Sequence, residues 1–197
     1  MSAAREEVED PDADLVARIG EGDAQAVRAL VDRHLGRTLA LARRMLGDEA
    51  EAEDVAQELF VRVWRNAGKW RPGKAKFETW MRRVALNLCY DRLRRRREMV
   101  TDEPPEQIDG ALNAFERIDA DDVSARVEQA MAALPERQRA AITLCSFEEM
   151  SNIDAADALE ISVEALESLL ARGRRKLRAL LAEDVEALLE PVESIRG

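Results

Sequence analysis

The chain has 197 residues, of which 36% are charged, and its formal net charge is −10. Only 4% of the residues are aromatic, and Ala, Leu, Arg and Glu are abundant, which favours an all-helical protein. No apolar run is long enough to span a bilayer, and the acidic N-terminus lacks the apolar core of a signal peptide. We therefore expect a cytoplasmic protein with no membrane insertion.

Metal and redox sites are not expected. The chain has one histidine and two cysteines, without a CxxC motif, and this set is too small for a zinc site. Cys89 and Cys145 both lie in apolar helical patterns, so we expect reduced thiols in the interior. No P-loop is present, and we expect no cofactor and no catalytic residue.

Residues 14–47 are predicted to form two helices. Gly20 and Gly22 end the first helix, and Asp23 can cap the second. Gly47 then ends the second helix, whose predicted apolar face consists of Val27, Leu30, Val31, Leu35, Leu39, Met45 and Leu46.

Two further helices are predicted on either side of a loop at 67–76. Residues 48–66 form the third helix, with acidic residues in its first turns, where the helix dipole favours them. Its predicted apolar positions are Val55, Leu59, Phe60 and Val63. Residues 77–97 form the fourth helix, with a predicted core stripe of Trp80, Val84, Leu88 and Leu93.

Residues 69–97 form the most basic segment of this acidic chain. The segment holds eleven Lys and Arg against two acidic residues, a net charge of +9. Interleaved with these cations are four aromatic residues, Trp70, Phe77, Trp80 and Tyr90. Cations beside aromatic rings suit a single-stranded nucleic acid, because phosphates take the charge and unstacked bases take the rings. The acidic stretch at 48–58 indicates a different partner for the preceding helix.

A break in the helical pattern divides the chain. Residues 98–122 contain nine acidic residues, one arginine and a Pro-Pro pair, which is typical of an extended flexible linker. We therefore expect an acidic extension at 1–13, a helical domain at 14–97, the linker at 98–122, a second helical domain at 123–182, and an acidic tail at 183–197.

The second domain ends in a predicted helix-turn-helix. A helix at 123–134 precedes Pro135, which suits the first turn of the next helix. Ser151 can cap a short helix, and Ser162 can cap a longer one that runs to about Ala182. A short helix, a tight turn and a longer basic helix indicate a DNA-reading unit, whose second helix enters the major groove.

The order of these parts resembles a known family. The motifs DADLVARIGEGDAQAVRALVDRH, AEDVAQELFVRVWR, FETWMRRVALNLCYDRLRRRR and LPERQRAAITL, followed by the helix-turn-helix, resemble bacterial RNA polymerase sigma factors of the extracytoplasmic-function (ECF) type. The resemblance implies an all-α fold of two small domains, called sigma region 2 and sigma region 4. It also implies a function in transcription initiation: binding core polymerase, recognising the −35 and −10 promoter elements, and helping to open the DNA. Such factors are not enzymes.

The third helix matches the segment that, in this family, binds the clamp helices of the polymerase β′ subunit; the β subunit is a further expected partner. The chemistry agrees, because spacings of three and four residues bring carboxylates and apolar side chains onto one surface of a helix. The expected contact residues are Asp54, Gln57, Glu58, Phe60 and Val61.

The basic segment matches the part of region 2 that binds the −10 element. We expect Trp80 or Phe77 to stack on or wedge against a base, and Asn87 to read a base edge. Phosphate contacts are expected from Lys69, Arg71, Lys74, Lys76, Arg82, Arg83, Arg94, Arg95, Arg96 and Arg97.

The recognition helix departs from the family pattern. Glu160 stands in the turn, where the family commonly has glycine, and Glu164 and Glu167 come early in the helix. The residues expected to face −35 DNA are Ser162, Glu164, Ala165, Ser168 and Arg172, and those expected to hold phosphate are Arg174, Arg175 and Lys176.

Two other functions remain open from the sequence. A sigma-like decoy would titrate an anti-sigma factor without binding DNA, and an ordinary helix-turn-helix regulator would bind DNA without polymerase. The intact cations of residues 69–97 argue against a decoy, although the early acids of the recognition helix, Glu164 and Glu167, leave that alternative open. The resemblance also implies an anti-sigma partner, often membrane-bound, that hides both DNA surfaces.

Overall fold

The computed structural model describes residues 10–71, 76–101 and 120–189, and within these ranges the secondary structure is helical, without strands. None of the helices in the described ranges has the length and apolarity needed to cross a membrane. The helices are α1 Ala13–Gly20, α2 Ala24–Leu46, α3 Glu49–Asn66, α4 Phe77–Thr101, α5 Ala120–Ala132, α6 Glu136–Ile142, α7 Asn152–Ala158 and α8 Val163–Leu189. The all-α prediction is confirmed.

Local sequence signals set the helix ends of the N-terminal unit, α1–α4. Asp23 accepts hydrogen bonds from the backbone N–H groups of Gln25 and Ala26 at the start of α2. Gly47 ends α2 in the left-handed conformation, with φ of 66°, and this conformation favours glycine. Asp48 caps α3 by accepting from Glu51 N at 2.8 Å. A 3₁₀ turn, Ala67–Lys69, follows α3.

The buried faces of α2 and α4 differ from the predicted apolar stripes. In α2, Leu35 is 37% exposed, whereas His34 and Thr38 point into the interior. In α4, Trp80, Val84 and Leu93 are only partly buried. The fully buried side chains of α4 include Phe77, Met81, Ala85, Leu86, Leu88 and Cys89. Both predicted stripes were therefore wrong in part.

The C-terminal unit, α5–α8, carries the predicted helix-turn-helix. Ser151 accepts from Asp154 N at 3.1 Å to cap α7, as the sequence predicted. A π-helical segment, Thr143–Phe147, continues α6. Gly173 lies where α8 crosses α6, because a Cβ atom built there would come within 2.8 Å of Ile142 Cδ1.

The two units dock against each other. α4 contacts α7, and α2 contacts α5, α6 and the π-helical segment. Arg139 of α6 donates to Met45 O at the end of α2 at 2.6 Å, and buried apolar residues of both units form one continuous cluster. The sequence predicted two domains on a flexible linker but did not predict this docking.

The expected boundaries of the linker and tail also shift. α4 continues to Thr101, and α5 begins at Ala120, so both ends of the expected linker, 98–122, are helical. Residues 102–119, and residues 1–9 of the expected extension at 1–13, lie outside the described residues. α8 extends to Leu189, past the predicted end near Ala182.

Candidate polymerase and nucleic-acid interfaces

The outer face of α3 combines carboxylate, amide and apolar groups. Ala52, Val55, Ala56, Leu59 and Val63 are buried on the inner face, which turns the opposite side of the helix outward. Asp54, Gln57 and Val61 are exposed on that side, while Phe60 is only partly buried and packs against the core. Three of the five expected polymerase contacts therefore share one open surface.

Trp64 belongs to the same surface, and sequence reasoning missed it. It lies one helical turn after Val61, and it is 61% exposed. The signal that could have identified Trp64 is its three-residue spacing from Val61, which places both apolar side chains on the same exposed side of the helix. Exposed apolar patches mark interaction sites. We define the outer face of α3 as Asp54, Gln57, Val61 and Trp64.

Arg92 of α4 lies beside the carboxylates of this face. Its guanidinium nitrogens are 3.5 Å from Asp54 Oδ2 and 3.8 Å from Glu58 Oε2. Arg62 donates to Glu58 at 2.6 Å. Glu58 is thus engaged by two cations within the protein, whereas Asp54 remains mostly exposed and retains capacity for another partner.

Three aromatic rings gather where α4 begins. The Phe77 ring centroid lies 5.3 Å from that of Trp70, edge-on, and 5.2 Å from that of Trp80. Phe77 is completely buried, and its backbone N–H donates to Asp10 Oδ2 at 2.6 Å. Phe77 therefore supports the cluster from within, and Trp80, which is half-buried, is the better placed of the two for base stacking.

The loop before α4 is described only in part. Arg71 donates to the carbonyls of Gly68 and Trp70, at 3.1 and 2.9 Å. Lys69 is exposed and Lys76 is half-buried. Lys74 lies outside the described residues.

Two of the arginines expected on DNA are covered by the C-terminal unit. Arg82 is 2% exposed, and its guanidinium lies 2.8 Å from Glu148 Oε2 and 3.0 Å from Glu78 Oε1. Arg83 lies 3.2 Å from Asp157 Oδ2 and 3.4 Å from Glu160 Oε1. In this arrangement Arg82 is buried, and the partly exposed Arg83 is already paired with two carboxylates, so we expect their contacts with DNA to require the two units to separate.

The arginine run at the end of α4 faces in several directions. Arg94 and Arg95 are exposed, as is Asn87, which lies about two helical turns before Arg94 on the same side of α4. Arg96 instead lies 2.9 Å from Glu51 and donates to Leu46 O at 2.9 Å. Arg97 lies 3.4 Å from Glu136 of the C-terminal unit. Arg94, Arg95 and Arg97 are thus the exposed side chains of the run, and Arg97 among them pairs with the C-terminal unit.

The expected −35 residues lie together on α8. Leu166 and Leu170 are buried, which turns the opposite stripe outward; Ser162, Glu164, Ala165, Ser168 and Arg172 are all exposed. Ser162 accepts from Ala165 N at 3.2 Å and caps the helix. Hydrogen bonds from its own backbone N–H and from Ser162 lower the pKa of Glu164. Arg174, Arg175 and Lys176 are also exposed.

The two thiols lie in unreactive surroundings. Burial raises the pKa of Cys89 to about 12 and raises that of Cys145 as well. Both cysteines are free, and a thiol held protonated is a poor nucleophile. The geometry does not favour a redox switch at either position.

Comparisons with known proteins match two parts of the chain to regions of sigma factors. Residues 30–99 match Sigma-70 region 2, and residues 124–177 match Sigma-70, region 4. The ECF RNA polymerase sigma factor SigE of Mycolicibacterium smegmatis is 33% identical over 165 residues, which cover 78% of this chain and 61% of SigE. The corresponding factor SigW of Bacillus subtilis is 32% identical over 180 residues, which cover 85% of this chain and 95% of SigW.

A solved structure shares the fold. CnrH, solved in complex with the cytosolic domain of CnrY, superposes with a TM-score of 0.67 at 33% identity, covering 89% of this chain and 99% of CnrH. These proteins are described as sigma factors, which favours the sigma factor over the decoy. The chain belongs to the ECF group of the sigma-70 family of RNA polymerase sigma factors.

Proposed function

We propose that this sigma factor divides its work among three surfaces. The outer face of α3 binds the clamp helices of the polymerase β′ subunit. The start of α4, with Trp80, Asn87 and the outward arginines Arg94 and Arg95, binds the −10 element. The outward stripe of α8 reads the −35 element. The factor acts in the cytoplasm as a binding subunit and not as an enzyme.

The outer face of α3 is the observation that carries this proposal. Exposed apolar surface that includes a tryptophan marks a protein interaction site. Tryptophan is also enriched among the residues that contribute most of the binding energy at interfaces. Asp54 beside it supplies a carboxylate for a basic partner surface. Because the inner face of α3 is already filled by core residues, these side chains are not needed to fill the core of the unit.

A protein partner that restrains the factor is also part of the proposal. The solved complex of CnrH with the cytosolic domain of CnrY supports such a partner. We expect this anti-sigma factor to bind the closed arrangement of the two units and to release it when the inducing signal arrives.

The test is reconstitution with core polymerase. Trp64→Ala should weaken core binding by about tenfold or more, because it removes the largest apolar group of the face. It should leave Arg92 and its carboxylate partners undisturbed. Leu35→Ala is the matched control, since Leu35 is an exposed apolar side chain on α2, away from the face. Titration of labelled core polymerase measures the affinity, and run-off transcription from a promoter library measures function.

Equal affinity of the Trp64→Ala variant and the control would contradict the assignment of α3. A wild-type factor that binds core polymerase but yields no promoter-dependent transcript would contradict the sigma function itself.

A further inference from the structure

We propose that the C-terminal unit inhibits its own factor by placing carboxylates where −10 phosphates would bind. The inference rests on the proposed function, in which the start of α4 binds the −10 element, and on the expectation from the sequence that Arg82 and Arg83 contact its phosphates. We call these two residues the arginine face. The acidic edge that covers it consists of Glu148, Asp157 and Glu160.

The acidic edge meets the arginine face at hydrogen-bond and ion-pair distances. The closest guanidinium–carboxylate pair is Arg82 with Glu148, 2.8 Å apart, and the two side chains are 2% and 3% exposed. Arg83 also donates to the Asp157 backbone carbonyl at 2.7 Å. Carboxylates, which are planar, and phosphates, which are tetrahedral, are both oxyanions that the N–H groups of arginine bind. One arginine group cannot serve both, so binding of the edge and of DNA exclude each other.

Backbone strain is concentrated at the same edge. Within the described ranges, the non-glycine residues with positive φ are Glu149 and Glu160, both at 54°. The left-handed conformation costs a side-chain-bearing residue about 1–2 kcal/mol. Glu149 directly follows Glu148, and Glu160 itself reaches Arg83. A glycine would relieve the strain in the helix-turn-helix turn, but it would remove the carboxylate that faces Arg83. Strain that persists beside a specific contact points to a function for that contact.

The ion pairs specify the closed arrangement without locking it. The 2.8 Å ion pair joins Nη2 of Arg82 to Oε2 of Glu148. Because this Oε2 is buried without a hydrogen bond, the pair lacks full hydrogen-bond alignment, and the cost of removing both charges from water offsets much of their attraction. The side chains of Asp157 and Glu160 are 48% and 65% exposed; exposed pairs of this kind contribute about 1 kcal/mol or less. A DNA strand with successive phosphates can therefore displace the edge.

The closed arrangement leaves the polymerase-binding surface open. The outer face of α3 and the basic residues of α8 remain exposed while the arginine face is covered. Core polymerase can thus engage the closed factor, and the arginine face becomes available when the units separate on the enzyme. The free factor should consequently bind single-stranded DNA weakly.

The experiment removes the charge of the acidic edge. The triple variant Glu148→Gln, Asp157→Asn, Glu160→Gln should open the free factor and raise its affinity for a fluorescein-labelled oligothymidylate by about tenfold or more. Small-angle scattering reports the opening as a larger radius of gyration, and fluorescence anisotropy reports the affinity. The matched control is Glu21→Gln, Asp32→Asn, Glu53→Gln, which removes the same charges from exposed positions. The control should stay closed and gain at most about twofold.

Three results would overturn the proposal. The triple variant could have the same radius of gyration as the control, or it could open and still bind the oligothymidylate no more tightly than the control. The gain in affinity could also persist after Arg82→Ala and Arg83→Ala are added to the triple variant. If the triple variant loses helix content, the double variant Asp157→Asn, Glu160→Gln is judged by the same criteria, because both side chains are partly exposed. Run-off transcription by the wild-type factor tests the proposed function separately. If the wild-type factor transcribes normally but the triple variant gains no affinity for DNA, only the self-inhibition proposal is contradicted.

Discussion

Two side chains of α2 hold the carboxylate of Asp12, which is 1% exposed. His34 Nε2 lies 2.8 Å from Asp12 Oδ2, and Arg33 donates to Oδ1 at 2.5 Å. Burial acts to raise the pKa of Asp12, but the hydrogen bonds from His34 and Arg33 outweigh it and lower the pKa below its ordinary value of 3.8. The N-terminal segment is thereby fastened to α2.

Asp12→Asn should lower the free energy of unfolding at neutral pH by about 1–3 kcal/mol, because the buried His34 and the partly exposed Arg33 lose their charged partner. Because its pKa is lowered in the folded protein, the carboxylate contributes its full stabilisation at pH values above its ordinary pKa. This stabilisation disappears as the pH falls through the pKa of the folded state. The difference between variant and wild type should therefore shrink below pH 3.8. Urea unfolding on both sides of that pH measures it.

Asp14→Asn is the control for this measurement, since the Asp14 side chain is 81% exposed, and its unfolding should match the wild type at both pH values. A difference for Asp12→Asn that stays constant down to low pH would contradict the role of its charge.

The same pair explains why the face of α2 was predicted wrongly. A count of apolar residues places Leu35 inside and passes over His34, because histidine is polar and Asp12 is distant in sequence. The burial of His34 depends on a partner 22 residues away, and periodicity within one helix cannot reveal such a partner. The burial of Arg82 could not be predicted for the same reason: its carboxylate partner Glu148 belongs to the other unit.

Gly20 sets how closely α1 approaches the 3₁₀ turn. A Cβ atom at this position would come within 2.9 Å of Gly68 Cα, and backbone cannot move aside as a side-chain end can. Gly20→Ala should therefore destabilise the protein by about 1–3 kcal/mol, despite the higher helix propensity of alanine. The urea midpoint at constant m value is the measurement.

Gly36→Ala provides a matched control within α2. A Cβ atom there meets nothing within 4 Å, so the higher helix propensity of alanine should stabilise the protein by about 0.5–1 kcal/mol. Opposite signs for the two substitutions are expected. A stabilising Gly20→Ala would show that α1 can shift without cost.

Helix ends were the most predictable features of the elements. Asp23, Ser151 and Ser162 cap helices as the sequence indicated, because capping depends on residues within one turn. The helix-turn-helix was predictable for the same reason. The far end of α4 was not, because acidic residues and a nearby Pro-Pro pair concealed one more helical turn.

The docking of the two units depends on residues that local patterns cannot connect. Arg139, 7% exposed, donates to Met45 O at the end of α2, to Leu134 O, and to Ala132 O at the end of α5. Burial lowers the pKa of Arg139, but an arginine stays charged. Its guanidinium thus lies at the negative ends of helices from both units, where a cation is favoured.

Because the apolar cluster is continuous across the units, we expect the wild-type protein to unfold in a single transition. All three tryptophans, Trp64, Trp70 and Trp80, belong to region 2, whereas the helices of both regions contribute to circular dichroism. Tryptophan fluorescence and circular dichroism should therefore give the same urea midpoint, as two-state unfolding requires.

Arg139→Met should separate the two midpoints, since methionine fills similar space but leaves carbonyls of both units without their donor, at a cost of about 1–3 kcal/mol. Region 4 loses the contacts of Arg139 within its own fold, so the circular dichroism transition should begin at lower urea than the fluorescence transition. Arg137→Met is the control, because Arg137 is exposed on the same helix. Coincident midpoints in Arg139→Met would show that apolar packing alone couples the regions, and separate midpoints in the wild type would show that they are not coupled.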